Sequence, residues 1–101
     1  MYDMKNLEAL KIMDKAAEAG MKAFWAFDKA AFTPGALDGK TKQLVALAVA
    51  LTTQCPYCIA IHTGEARKAG ANDAELSETA VVAAAMRAGA AITHATHMFQ
   101  K

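Results

Sequence analysis

Both cysteines of the chain and one of its three histidines fall in a single nine-residue stretch, Gln54 to His62, which reads QCPYCIAIH. Cys55, Cys58 and His62 stand at i, i+3 and i+7. On a helix they share one face, and residues four apart, such as Cys58 and His62, have Cβ atoms about 5–6 Å from each other. Pro56 suits the first turn of a helix, where its missing N–H removes no bond. Cys55 then lies at or just before the helix start and Cys58 in the first turn, beside unpaired N–H groups and the positive end of the macrodipole. Thiolate is the form that gains there. A free thiol with a pKa of about 8.5 falls to roughly 3.5–7.5 in such settings. An imidazole at His62 can take the proton from Cys58 or stabilise its thiolate, and Cys55 can reach the same sulfur to close a disulfide.

Two other readings share the spacing. Zinc also uses C-x-x-C, and Cys55, Cys58 and His62 would make a four-ligand site if the last helix brought His94 or His97 alongside. Structural zinc, however, organises loop-rich modules, whereas this chain has enough apolar helix to fold without metal. The plainest reading is a buried pair of small apolar residues in a helix interface. His94 and His97 lack the register of His62 and are read as meeting the helix dipole or a neighbouring subunit. Met4, Met13, Met21, Met86 and Met98, with Phe24 and Trp25, are read as core or interface residues, and Lys40 and Lys42 as solvated first-turn charges.

The elements that must position these groups are helices. From about Leu7 to Ala31, Leu10, Met13, Ala17, Met21, Phe24 and Ala31 recur at steps of three, four or seven, with Gly20 as a point of bending. FTPGALDG (32–39) collects Pro34, Gly35 and Gly39 and reads as a loop. A second helix follows from Lys40 to Thr53, and a third from Pro56 to a glycine cap at Gly70. Asn72 with Glu75 resembles a capping box and opens a fourth. Gly89 is expected to divide it from a short last helix carrying His94 and His97. No alternating strand pattern, repeat or low-complexity linker intervenes, so the fold class is all-α with about five helices.

At 101 residues the chain is one domain, 1–101. Because 54% of its residues are apolar and the runs LVALAVAL (44–51) and AVVAAAM (80–86) have no polar face, a monomer this small has too little interior for them. A homo-oligomer is expected. A formal charge of +1 gives no broad positive field for nucleic acid or an anionic membrane. The N-terminus carries no charged segment followed by an apolar one, and LVALAVAL is far short of the ~20 residues that span a bilayer. A soluble, cytoplasmic protein is expected, and there a close cysteine pair is redox-active or metal-binding more often than a structural staple.

The segment GALDGKTKQLVALAVALTTQCPYCIAIHTGEARKAGANDAELSE (35–78) resembles the core of the alkylhydroperoxidase D-like branch of the carboxymuconolactone decarboxylase family. The likeness runs over about residues 34–98, and C-x-x-C-x-x-x-H is its most specific part. It implies an all-helical domain that assembles as a trimer or hexamer. It implies a dithiol, with no cofactor or metal beyond the Cys55–Cys58 disulfide, that reduces hydroperoxides or passes electrons between a dithiol donor and a partner peroxiredoxin. The position of Cys58 is that of the attacking thiol, Cys55 that of its disulfide partner, and His62 belongs to a proton relay. Two positions depart from the pattern. Gln43, twelve residues ahead of Cys55, stands where the family often has a glutamate, and Tyr57 where well-known members have a histidine. An amide orients a histidine or a water but does not take and release a proton as a carboxylate does. Glu65, three residues beyond His62, is the local substitute, so either Glu65 or a water held by Gln43 is expected to orient His62. A lactone decarboxylase, and a non-catalytic redox-sensing or zinc-binding module, are the alternative functions.

Overall fold

The computed structural model describes residues 2–100, which form helices and turns with no strand among them. A 3₁₀ segment, Met4–Ala9, leads into α1 (Leu10–Ala16) and α2 (Glu18–Phe32). Then come α3 (Gly39–Thr53), α4 (Pro56–Lys68) and α5 (Asp73–His94), with a closing 3₁₀ segment, Ala95–Phe99. The five α-helices agree with the all-α expectation.

Local chemistry sets the boundaries of the three helices that carry the site. Asp38 caps α3, its carboxylate accepting the Thr41 N–H at 2.7 Å. Gln54, in the left-handed region at φ 56°, turns the chain out of α3 so sharply that the Cys55 N–H still reaches the Ala50 carbonyl at 3.1 Å. Pro56 then opens α4, as its fixed φ favours. At the far end of α4 the Ala71 N–H bonds the Ala66 carbonyl at 2.9 Å and the Gly70 N–H that of Arg67 at 3.0 Å, both bonds of a Schellman motif. Gly70, at φ +98°, occupies the position that requires a glycine. The motif seats Ala71 in the core against Ala66. Asn72 follows at once with both bonds of a capping box: its side chain accepts the Glu75 N–H at 2.9 Å, and Glu75 accepts the Asn72 N–H at 3.1 Å.

The core lies where α3 meets α4 and α5. Leu47, Ala66 and Ala71 are buried, with Leu44 and Leu76 packed against them. α1 and α2 fold on each other, held by the Trp25 indole N–H donating to Asp14 at 2.7 Å. Their main tie to the core is at the end of α2, where the Lys42 ammonium donates to the carbonyls of Ala31 (2.9 Å) and Thr33 (2.6 Å).

Three expectations are corrected. The stretch from Leu7 to Ala31 is not one bent helix. It breaks at Ala17, at φ −128° and ψ 54°, and Gly20 lies inside α2. The break leaves no backbone group of Ala17 unpaired, since its N–H bonds Met13 and its carbonyl accepts from Met21, so residue spacing gives no sign of it. Gly89 does not divide the fourth helix either. α5 runs unbroken through it, because one glycine costs a helix only about 1 kcal/mol and its neighbours are strong helix formers. Lys40 and Lys42 are not simply solvated, since Lys40 is paired with Glu75 at 2.6 Å and Lys42 clamps the end of α2. Among the described residues no helix is long and apolar enough to cross a membrane.

Candidate functional site

Cys55 is the N-cap of α4, and its sulfur accepts the N–H of Cys58 at 3.3 Å. The two cysteines are joined as a disulfide with their Cα atoms 5.3 Å apart. The negative charge that develops on Cys55 when that bond opens therefore meets an aligned N–H and the positive end of α4.

His62 lies one turn beyond Cys58 on the same helix, half-buried between two groups from outside it. Its Nδ1 is 2.7 Å from Oε1 of Gln43 on α3. An amide oxygen only accepts, so Nδ1 is the donor, and in the neutral ring the lone pair is on Nε2. The ring of Phe32, the last residue of α2, stacks on the imidazole with centroids 4.9 Å apart and planes 14° from parallel. Beside them is a cleft of about 500 Å³ whose lining includes Phe32, Pro34, Gln43, Ile61, His62 and Glu65.

Of the residues singled out in the sequence, Cys55 and Cys58 are bonded to each other at the start of α4, and Gln43 reaches His62 directly at 2.7 Å. Glu65 borders the same cleft, but its carboxylate faces Lys68 at 3.5 Å rather than the imidazole. His94 and His97 meet each other edge to face at 4.7 Å, and among the described residues no three His, Cys, Asp or Glu side chains converge as a metal site would require. Tyr57, between the cysteines, accepts a hydrogen bond from the Asn6 amide at 2.9 Å and packs edge to face with Tyr2 at 5.1 Å, so the N-terminal segment touches the turn that carries the cysteines.

Phe32 was not legible as a site residue. It falls in a stretch read as loop, thirty positions before His62, and meets the imidazole where the Lys42 ammonium ties its two neighbours to α3.

A sequence model described as the Carboxymuconolactone decarboxylase family matches residues 18–101, most of the chain and all of the site. The chain belongs to the carboxymuconolactone decarboxylase family. A protein of the cox locus of Paracoccus denitrificans is 46% identical over 98 residues, covering 94% of this chain and 88% of that protein. Among solved structures, a carboxymuconolactone decarboxylase family protein from Legionella pneumophila is similar with a TM-score of 0.77 and 36% identity, over 91% of this chain and 82% of that one. A family protein from Thermotoga maritima, suggested to take part in an antioxidative response, matches with a TM-score of 0.62 and 35% identity over 64% of this chain and 67% of its own. The family's matched region starts at the first residue of α2, so it includes Phe32 as well as Gln43, the cysteines and His62.

Proposed function

We propose that this protein is a thiol-dependent peroxidase and disulfide oxidoreductase of the alkylhydroperoxidase D-like kind. The observation that carries the reading is the disulfide at the N-cap of α4 with an oriented imidazole one turn away. In the reduced protein His62 Nε2 accepts the Cys58 proton, and the thiolate attacks the terminal oxygen of a hydroperoxide. The O–O bond breaks, the remaining oxygen leaves as an alcohol after protonation, and Cys58 becomes a sulfenic acid. The Cys55 thiol attacks that sulfur, water leaves, and the Cys55–Cys58 disulfide forms. A dithiol donor then reduces it by two exchanges, or the reduced pair passes its electrons to a peroxiredoxin disulfide. The disulfide is the only cofactor in the cycle, and the setting is a reducing cytoplasm and a homo-oligomer, trimer or hexamer.

Consumption of an organic hydroperoxide in the presence of a dithiol tests the reading. Turnover that vanishes in Cys58→Ser is expected. Turnover that persists in Cys58→Ser, or a wild-type protein whose reduced sulfurs resist alkylation from pH 5 to 9, would overturn it.

A further inference from the structure

Resting on that reading, we propose that Phe32 is a positioning residue for His62: its ring fixes the plane of the imidazole and stabilises the positive ring formed when His62 takes the Cys58 proton.

Two features of the structure converge on Phe32. The first is the stack itself, 4.9 Å between centroids and 14° between planes, which places the π face of one ring over the other. The second is the way Phe32 is held. The Lys42 ammonium donates to the carbonyls of Ala31 and Thr33, the residues on either side of Phe32, so the Phe32 backbone is fixed to α3 from both flanks. The next residue of α3 is Gln43, which holds Nδ1 of the same imidazole. One turn of α3 thus sets both the direction of the ring, through Gln43, and its plane, through Phe32.

The division of labour follows from charge. Gln43 is neutral, so its oxygen orients the ring but supplies no counter-charge when the ring becomes positive. A carboxylate bonded to the ring would, but although Asp28, Lys29 and Glu65 line the same cleft, none of them is hydrogen-bonded to the imidazole, and Glu65 is turned to Lys68. The electron-rich face of Phe32 attracts a cation lying against it. It is therefore the group in contact with His62 that favours the imidazolium over the neutral ring, and through it the thiolate of Cys58.

The test uses the full-length protein in a Cys55→Ser background, so that Cys58 alone reports, and measures alkylation by iodoacetamide across pH together with the imidazole ¹⁵N shifts of His62. Phe32→Leu keeps much of the volume and loses the π face. It is expected to slow alkylation at neutral pH by about two- to five-fold and to move the midpoint of the alkylation profile up by roughly half a pH unit, the size of an exposed cation–π contact. Phe32→Tyr is expected to restore wild-type values. Lys42→Met, which frees the backbone on both sides of Phe32 without touching either ring, is expected to shift the profile in the same direction and keeps the question open to test if Phe32→Leu does not fold. Phe32→Leu matching the parent, or Phe32→Tyr behaving as Phe32→Leu does, would overturn the proposal. The wider reading fails separately: a wild-type protein that consumes no peroxide, while the His62 shifts of the Cys55→Ser parent respond to Phe32→Leu but not to Phe32→Tyr, would leave the positioning role standing and remove the peroxidase.

Discussion

His62 is bound on one edge by an amide oxygen, and that single contact determines what the ring can do. With Nδ1–H committed to Gln43, Nε2 is the basic atom, and no acceptor in contact relays the proton onward. Gln43→Ala removes a hydrogen bond worth about 1 kcal/mol, and peroxide turnover is expected to fall about five-fold. Gln43→Glu replaces it with a charge-assisted bond of about twice the strength, and turnover is expected to rise above the wild type. Glu65→Ala is expected to change turnover by less than a factor of about two, since its carboxylate makes no bond to His62. A turnover assay of the three variants separates these outcomes. The capped sulfur of Cys55 gives a second expectation. The better-stabilised thiolate leaves faster, so a donor thiol should attack Cys58 and expel Cys55. With a hydroperoxide as oxidant and a monothiol present, a mixed disulfide should accumulate at Cys58 in Cys55→Ser, the thiol displacing water from the Cys58 sulfenic acid, and not in Cys58→Ser, which mass spectrometry reads directly. The register of Cys55, Cys58 and His62 was legible because it is written within one helix. The hold of Gln43 was legible only as a position, and Phe32 not at all, because both contacts depend on how α2 and α3 meet α4 in space.

Elements are held in register by caps and by two ion pairs, Lys40–Glu75 and Arg67–Asp73, and their signals were uneven. Pro56, Gly70 and Asn72 each act through φ or through a backbone bond a few residues away, so they could be read along the chain. The break at Ala17 could not, because both backbone groups of Ala17 remain bonded and the spacing of apolar residues runs straight across it. Gly70→Ala forces a side chain into the left-handed region and is expected to cost about 1–2 kcal/mol in chemical denaturation, while Asn72→Ala, losing the cap, costs about 1 kcal/mol. The Lys40–Glu75 pair ties α3 to α5. The hydrogen bond from Lys40, and then that from the Asn72 N–H, hold the Glu75 carboxyl below its ordinary value of 4.5, and the bond to Glu75 lifts Lys40 above 10.5. Asp38 is likewise held below 3.8, first by the Thr41 N–H. Glu75 stabilises the fold fully above pH 4.5 and less as pH falls through its lowered value, and Lys40 does so below pH 10.5 and less as pH rises through its raised one. The pair is partly exposed, so the effect is modest. The thermal midpoint of the wild type is expected to decline below pH 4.5, and that of Lys40→Met to decline less over the same range.

The whole molecule is more open than a compact domain of its length. Its radius of gyration is 17.0 Å, against about 13 Å for a compact domain of this length. Among the described residues only Leu47, Ala50, Ala66, Ala71 and Ala83 are buried apolar ones, so the core seen in one chain is small. Large apolar side chains face outward along the two helices that carry LVALAVAL and AVVAAAM: Val49 is 56% exposed on α3, and Val82 61% and Met86 68% on α5. Between these helices runs a groove of about 370 Å³ lined by Leu44, Val45, Ala48 and Val82 together with Thr41, Thr79, Glu75 and Glu78. In the homo-oligomer proposed above, a second copy of the same chain would cover this surface. Fully burying one such side chain contributes roughly 1.5–3 kcal/mol, so a handful of them outweighs the cost of association, whereas a single glutamate placed among them would be left without a partner. Light scattering of the wild type is expected to return a multiple of 10.7 kDa. Val82→Glu is expected to lower that mass and, with it, the thermal midpoint, since the core that remains in one protomer is the small one around Leu47. A wild-type mass of one chain, or a Val82→Glu protein unchanged in mass, would mean that these faces are covered in some other way.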